Sequence, residues 1–223
     1  MKRRPTRELL DDDRGTPAEI AGSLRDLRWF NRWFGGVATT RRLFKTASRI
    51  TQQSQLTVLE VGSGDGSLIR TVASDLQPGL HLELTLLDRA ASHLPVNGWM
   101  HKVAGDALHL PFRDSSFDLV SSSLFLHHLS PQQAVAFARE ALRVSRTAVL
   151  VHDLIRDPIH LAFAYAGRPL YRSRITRHDA PASVWQAYTA DEVVGYFREA
   201  GALSVQVHRQ YFYRMGVLAQ RNP

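Results

Sequence analysis

The stretch TVLEVGSGDGSLIRTV, residues 57–72, constrains this chain more than any other. A short, nearly continuous apolar run ends in Glu60, passes through Gly62, Gly64 and Gly66, and continues into a helical pattern. Such a run fits a strand buried on both faces of a parallel sheet. Glycines at i, i+2 and i+4 let the backbone approach a ligand with no Cβ atoms in the way. A dinucleotide fingerprint needs its third glycine where Ser67 stands, and a phosphate loop needs a Gly-Lys-Ser/Thr that is missing. Glu60 beside the turn suits a cationic ligand better than a pyrophosphate.

The rest of the chain keeps the alternation that this turn begins. LHLELTLLD (80–88) and TAVLVHDL (147–154) read as further strands, HKVAGDALHLPF (101–112) as a short strand and a loop, and FDLVSSSLFL (117–126) as a strand running into a loop. SPQQAVAFAREALRVS (130–145) reads as a helix with a Ser-Pro start. TADEVVGYFREAG (189–201) has Thr189 as N-cap, an acidic first turn and Gly201 after its end. Repeated strand–helix units imply a parallel sheet covered by helices. LSVQVHRQ and YFYRMGVLAQ close the chain as two strands, read as an antiparallel pair.

Three segments stand outside this rhythm. Residues 1–17 read as a flexible, mixed-charge tail. Residues 18–55 carry Ile20, Leu24, Leu27 and Leu43 at helical spacing, with WFGG (33–36) breaking them into two helices, and read as an N-terminal lid. Residues 154–188 read as an inserted helix-and-loop lid. The core domain is then 56–223.

Composition narrows the function classes. The chain has no cysteine, which removes disulfides, thiolate metal sites and cysteine nucleophiles, and fits a reducing compartment. No apolar segment approaches the ~20 residues of a membrane span, and the basic start MKRRPTRELL lacks the apolar region of a secretory signal. The expectation is a cytoplasmic protein. The net charge of +7 comes from scattered arginines with only Lys2, Lys45 and Lys102 beside them. No basic stripe forms, so nucleic acid is not the expected partner.

Asp88 ends the second strand and Asp106 follows the third. With Glu60, three acids follow successive strands, where open α/β sheets place their ligand crevice. A carboxylate at Asp88 can accept from two ribose hydroxyls, and one at Asp106 from an exocyclic adenine amine.

VLEVGSGDGSL, LTLLDRA, AGDALHLPF and FDLVSSSLFLHHL together resemble the successive motifs of class I S-adenosylmethionine-dependent methyltransferases, in the small-molecule branch similar to ubiquinone/menaquinone-biosynthesis enzymes. The resemblance implies a Rossmann-like, seven-stranded, mostly parallel sheet with an antiparallel last strand and helices on both faces. It implies S-adenosylmethionine as cofactor. Glu60, Gly62 and Gly64 then hold its methionine part, Asp88 the ribose, and Asp106 with the Ala107 backbone the adenine, and Ser63, Arg89 and Ser123 are further cofactor-binding candidates. LLDDDRGTPAEIAGSLRDLRWFNRWFGG and RHDAPASV also resemble a bacterial subgroup encoded beside chalcone-synthase-type polyketide synthases. That implies a phenolic or polyketide-like acceptor.

Methyl transfer from a sulfonium needs alignment, and a general base helps when the acceptor is a phenol. The candidate bases are His127, His128, Asp153 and His178, with His152 and Asp179 beside them. Histidine suits this role near neutral pH, although one of the pair 127–128 also suits a cap for the helix from Pro131. Adjacent histidines lack the i, i+4 spacing of a helical metal pair, so no metal is expected. Trp29, Phe30, Trp33, Phe34, Phe163, Tyr165 and Tyr171 are candidates to line an apolar acceptor pocket, and Asn31 and Arg32 to reach a carboxylate of the cofactor. The expected partner is an aromatic or apolar small molecule, and a homodimer is compatible with the sequence. The alternatives are an RNA or protein methyltransferase, a non-catalytic S-adenosylmethionine-binding protein, and, weakened by the glycine spacing, a nicotinamide oxidoreductase.

Overall fold

A computed structural model describes residues 1–12, 14–91, 94–95, 100–210 and 212–221, with Asp12 by its backbone alone. Two helices lead: α1 (Pro17–Trp33) and α2 (Gly36–Thr51). Thr16 and Glu19 form a reciprocal capping box at the start of α1, which also has proline in its first turn. Gly35, at φ 84°, turns the chain between the helices as WFGG leads one to expect.

The sheet follows as β1 (Gln55–Val61), β2 (His81–Asp88), β3 (His101–Ala104), β4 (Phe117–Ser123), β5 (Ser145–Leu154), β6 (Ser204–Gln210) and β7 (Arg214–Gln220). Between the strands lie α3 (Ser67–Leu76), α4 (Pro131–Val144), α5 (Pro158–Ala166), α6 (Arg174–Gln186) and α7 (Ala190–Glu199). The strand order is β3-β2-β1-β4-β5-β7-β6. β1 to β5 pair in parallel, and β7 runs antiparallel to both β5 and β6. The last strand therefore begins at the edge where β5 ends.

The apolar runs divide between the two faces with the strand period of two. Leu56, Val58, Leu82, Leu84, Leu86, Ala148 and Leu150 join one core with α2 and α3. Leu59, Val61, Leu87, Val149 and Val151 join the other with α4 and α7. This places helices on both faces.

Two expectations change. The strand read over 211–220 begins at Arg214; Phe212 and Tyr213, with φ near +59° and +57°, form a turn, and Tyr211 lies outside the described residues. The segment read as a flexible tail is held down where it is described. Arg4 N–H donates to the Trp185 carbonyl, and the N–H groups of Leu9 and Leu10 donate to the two oxygens of Asp179. Glu8 is buried and takes hydrogen bonds of 2.6 Å from Ser183 and Gln186. A buried carboxylate needs donors, and α6 supplies them. α1 is joined to the inserted segment as well: Asp26 accepts from the N–H groups of Arg172 and Ser173. Among the described residues no helix is long and apolar enough to cross a membrane.

Candidate active site

The carboxyl ends of β1, β2 and β4 open into a cavity of about 1380 Å³, roofed by α1, the segment before it and the α5–α6 insertion. Glu60, Gly62, Ser63, Gly64, Asp88, Arg89, Asp106, Ala107 and Ser123 all line it. Gly62, Gly64 and Gly66 have φ of +67°, +51° and +65°, a region open to glycine. At Gly62 a Cβ would also sit 2.5 Å from the Phe125 ring. The N–H groups of Gly62 and Ser63 donate to the Leu87 carbonyl, and Gly64 N–H donates to Asp88 at 2.9 Å. Asp88 thus ties the glycine turn to the end of β2 and takes a second bond from Ala90 N–H. The Asp106 side chain is largely exposed on the cavity rim and accepts from Leu108 N–H.

Glu60 is fully buried, and burial pushes its carboxyl up to about 7, tempered by the nearby hydroxyls of Ser121 and Ser123. Among the described residues its Oε2 and the Ser123 Oγ have no hydrogen-bond partner. Two orphaned acceptors beside a turn without side chains fit the ammonium group of an amino acid, such as the methionine part of S-adenosylmethionine. The carboxylates of Asp88 and Asp106, both on the cavity, suit the hydroxyls and amine of its nucleoside. The residues present therefore suit this cofactor.

The other wall carries the acid–base candidates. His127 and His128, in a turn of 3-10 helix at Leu126–His128, both line the cavity. His127 Nδ1 bonds to Asp153 Oδ1 at 2.6 Å, and its Nε2 lies 3.5 Å from Glu8 Oε1. Burial alone would push this imidazole down. The Asp153 carboxylate, with help from Glu8, outweighs it and holds the proton up to about 10. The same contacts hold Asp153 and Glu8 below the usual carboxylate range, against burial. Arg3 fixes the turn from behind, donating to the carbonyls of His127 and Leu129 at 2.8 Å each.

Several expected residues lie elsewhere. Asp153 is buried behind His127 rather than on the cavity wall, and His178 is not on the wall but pairs with Asp179 at 2.7 Å. His152 is buried and unexposed to the cavity, and burial together with Arg214 pushes it down to about 3. Trp29, Phe30, Phe34, Phe163 and Tyr171 line the cavity, whereas Trp33 and Tyr165 face out. Asn31 lines it, and Arg32 instead meets Asp75 at 3.4 Å. Glu8, His127 and His128 bring ligand-type atoms within 4.8 Å of one another, so adjacency of the histidines is no bar to ligation. Each is already engaged, however: His127 with Asp153 and Glu8, and His128 with Asp11 at 2.9 Å. The three side chains form a cluster in which each already has a polar partner. Glu8 and Arg214, both on the wall, carry no local sequence signal of a site.

Comparison with known proteins agrees with this geometry. Residues 59–150 match a family described as Methyltransferase domain. A search among curated proteins finds no match. Among solved structures, the plantazolicin methyltransferase BpumL, in complex with a triazolic desmethylPZN analog and SAH, superposes with a TM-score of 0.70 at 12% identity, over 96% of this chain and 94% of that one. Human N-acetylserotonin methyltransferase in complex with SAM gives 0.64 at 15% identity, over 97% and 63%. A Nostoc punctiforme protein named provisionally as an O-methyltransferase gives 0.53 at 20% identity, over 82% and 56%. The chain thus spans less than two thirds of the Nostoc and human proteins. With the methyltransferase-domain match over residues 59–150 and this superposition over 96% of its length, the chain has the fold of the class I, S-adenosylmethionine-dependent methyltransferases.

Proposed function

We propose that this protein is a cytoplasmic enzyme that transfers a methyl group from S-adenosylmethionine to an oxygen of a small aromatic acceptor such as a phenol. The observation that carries this reading is His127, on the wall of the cavity that the glycine turn also lines, backed by the buried carboxylate of Asp153. S-adenosylmethionine supplies, when bound, a methyl group on a sulfonium that is already activated. The chain's own residues then have three tasks.

Gly62, Gly64, Glu60 and Ser123 hold the amino-acid part, and Asp88 and Asp106 the nucleoside. Phe30, Phe34, Phe163 and Tyr171 offer apolar surface to the acceptor and exclude water. His127 takes up the acceptor's hydroxyl proton. With Glu8 on Nε2 the imidazole keeps its own proton at neutral pH. When an acceptor hydroxyl displaces Glu8, the Nε2 proton leaves with that carboxylate to solvent, Asp153 stays on Nδ1–H, and the freed Nε2 accepts the hydroxyl proton as the methyl group moves to oxygen. The human relative is named for a small aromatic acceptor, N-acetylserotonin, which supports a small-molecule substrate here.

The test has two stages. Calorimetry with SAH and NAD should give micromolar binding of the first and none of the second. Incubation with S-adenosylmethionine and a panel of phenols, read by mass spectrometry, should then yield a methyl ether. Methylation of peptide or RNA substrates with every phenol untouched would sink the small-molecule reading.

A further inference from the structure

Arg214 opens β7 opposite Leu154, the last residue of β5. Because β7 runs antiparallel, its first residue stands at the ligand edge of the sheet. Arg214 is only 6% exposed, yet it lines the cavity with Leu154, His160, Phe163 and Tyr213. A guanidinium stays protonated and offers five donors in a planar fork. Among the described residues its side chain makes one hydrogen bond, at 3.5 Å, to Nε2 of His152.

The groups around it leave that charge poorly matched. His152 and His160 are both pushed down by burial, with Arg214 adding to the effect, so both are neutral at pH 7. Asp153 is the carboxylate whose charge reaches Arg214. Its oxygens are already taken by His127 and by the N–H of Leu154. A buried cation with most of its donors unused is costly unless an anion meets it. The surroundings are aromatic: His160 stacks on Tyr213 at 5.2 Å and 11°, and Phe163 lies 6.3 Å from Tyr213.

We propose that Arg214 binds an anionic oxygen group of the acceptor, so that the site selects acidic aromatic molecules over neutral ones. This rests on the small-molecule reading above and narrows its substrate class. A carboxylate presents two oxygens to a guanidinium fork and is the best geometric match. The cofactor's own carboxylate is the other source of that chemistry. Position favours the acceptor: β7 is three strands from β1, or about 14 Å along the sheet edge from the strand that carries the glycine turn.

The experiment is calorimetry on protein saturated with SAH, using 4-hydroxybenzoate and 4-hydroxybenzamide as probes. The acid should bind about tenfold or more tightly than the amide to the wild-type protein. Arg214→Gln should abolish the preference, Arg214→Lys should retain part of it, and SAH affinity should stay unchanged in both. Equal binding of the two probes, binding of neither, or a preference that survives Arg214→Gln would overturn the assignment. So would a tenfold loss of SAH affinity in Arg214→Gln with methylthioadenosine, which lacks the amino-acid part, bound as before; the anion would then be the cofactor's. If Arg214→Gln fails to fold, the wild-type preference and the lysine variant decide. The readout is binding, so a failure of methyl transfer registers separately, as SAH bound and no product formed.

Discussion

His127 Nδ1 sits 2.6 Å from Asp153 Oδ1, with both side chains almost wholly buried. The carboxylate comes from β5 and the imidazole from the turn before α4, so the pair joins the sheet to the cavity wall. Asp153→Asn keeps the shape and removes the charge. The imidazole is then left in a buried site with Glu8 as its one carboxylate neighbour. Turnover on a phenolic acceptor should fall by about a hundredfold or more. Stability should drop by about 3–5 kcal/mol, since one partner of a buried pair is lost. SAH release in the presence of acceptor measures the first and denaturant unfolding the second. Unchanged turnover in a folded variant would remove His127 as the base.

Glu8→Gln should act on pH dependence rather than on fold alone. Proton uptake needs a neutral imidazole, and Glu8 helps hold His127 protonated up to about 10. The rising limb of the rate against pH should therefore move to lower pH in the variant. Stability follows the same linkage. A group whose folded pKa is raised adds stability that is full below its unfolded value, about 6.5, and is lost as pH climbs through the folded one. The melting temperature of the wild-type protein should decline between those limits, and that of Glu8→Gln less steeply. Parallel profiles in the two proteins would refute the coupling.

The proposed role of Glu60 predicts that cofactor binding depends on pH. Burial pushes its carboxyl up to about 7, and an ammonium group beside it favours the ionised form. SAH affinity should weaken by up to about tenfold for each pH unit below that value. Calorimetry between pH 5 and 8 reads it, and Glu60→Gln should flatten the curve. A flat curve in the wild-type protein would separate Glu60 from the bound amino group.

Gly62 and Gly64 should respond differently to alanine. Both have positive φ, which costs an alanine about 1–2 kcal/mol. Gly62→Ala adds a collision at 2.5 Å with Phe125, while nothing lies within 4 Å of a Cβ at Gly64. Gly62→Ala should lose the larger share of stability. Equal melting temperatures for the two variants would contradict the packing at Phe125.

The strands and the glycine turn are legible in the sequence because their causes are local. The run LTVLEV needs two apolar faces, and alternate residues fill them. The acids at 60, 88 and 106 follow three strands and therefore reach one edge, which brings all nine cofactor candidates to one cavity. What is not legible depends on contacts distant in the chain. Glu8 lies in a mixed-charge segment and enters the site only because Ser183 and Gln186, on α6, receive it. The two adjacent histidines look equivalent in sequence, yet one turns inward to Asp153 and the other to Asp11. His178 looks as reactive as either, but its partner Asp179 is spent on the N–H groups of Leu9 and Leu10. Arg214 looks like any other arginine in sequence because the strand expected over 211–220 begins only at this residue, and its place opposite Leu154 is set by the antiparallel course of β7 along β5.

That course has an evolutionary consequence. Because β7 enters the sheet backwards, Arg214 and the turn before it join a wall otherwise built from the N-terminal segment and α5–α6, so the residues near the methyl source and those of that wall come from different stretches of chain. The first lie between Glu60 and Ser123; the second come from before residue 35 and after residue 123. Substitutions in the flanking stretches can reshape one wall while the register of β1, β2 and β4 stays as it is. Related chains can in this way diverge in what they methylate without having to reinvent how the methyl group is held.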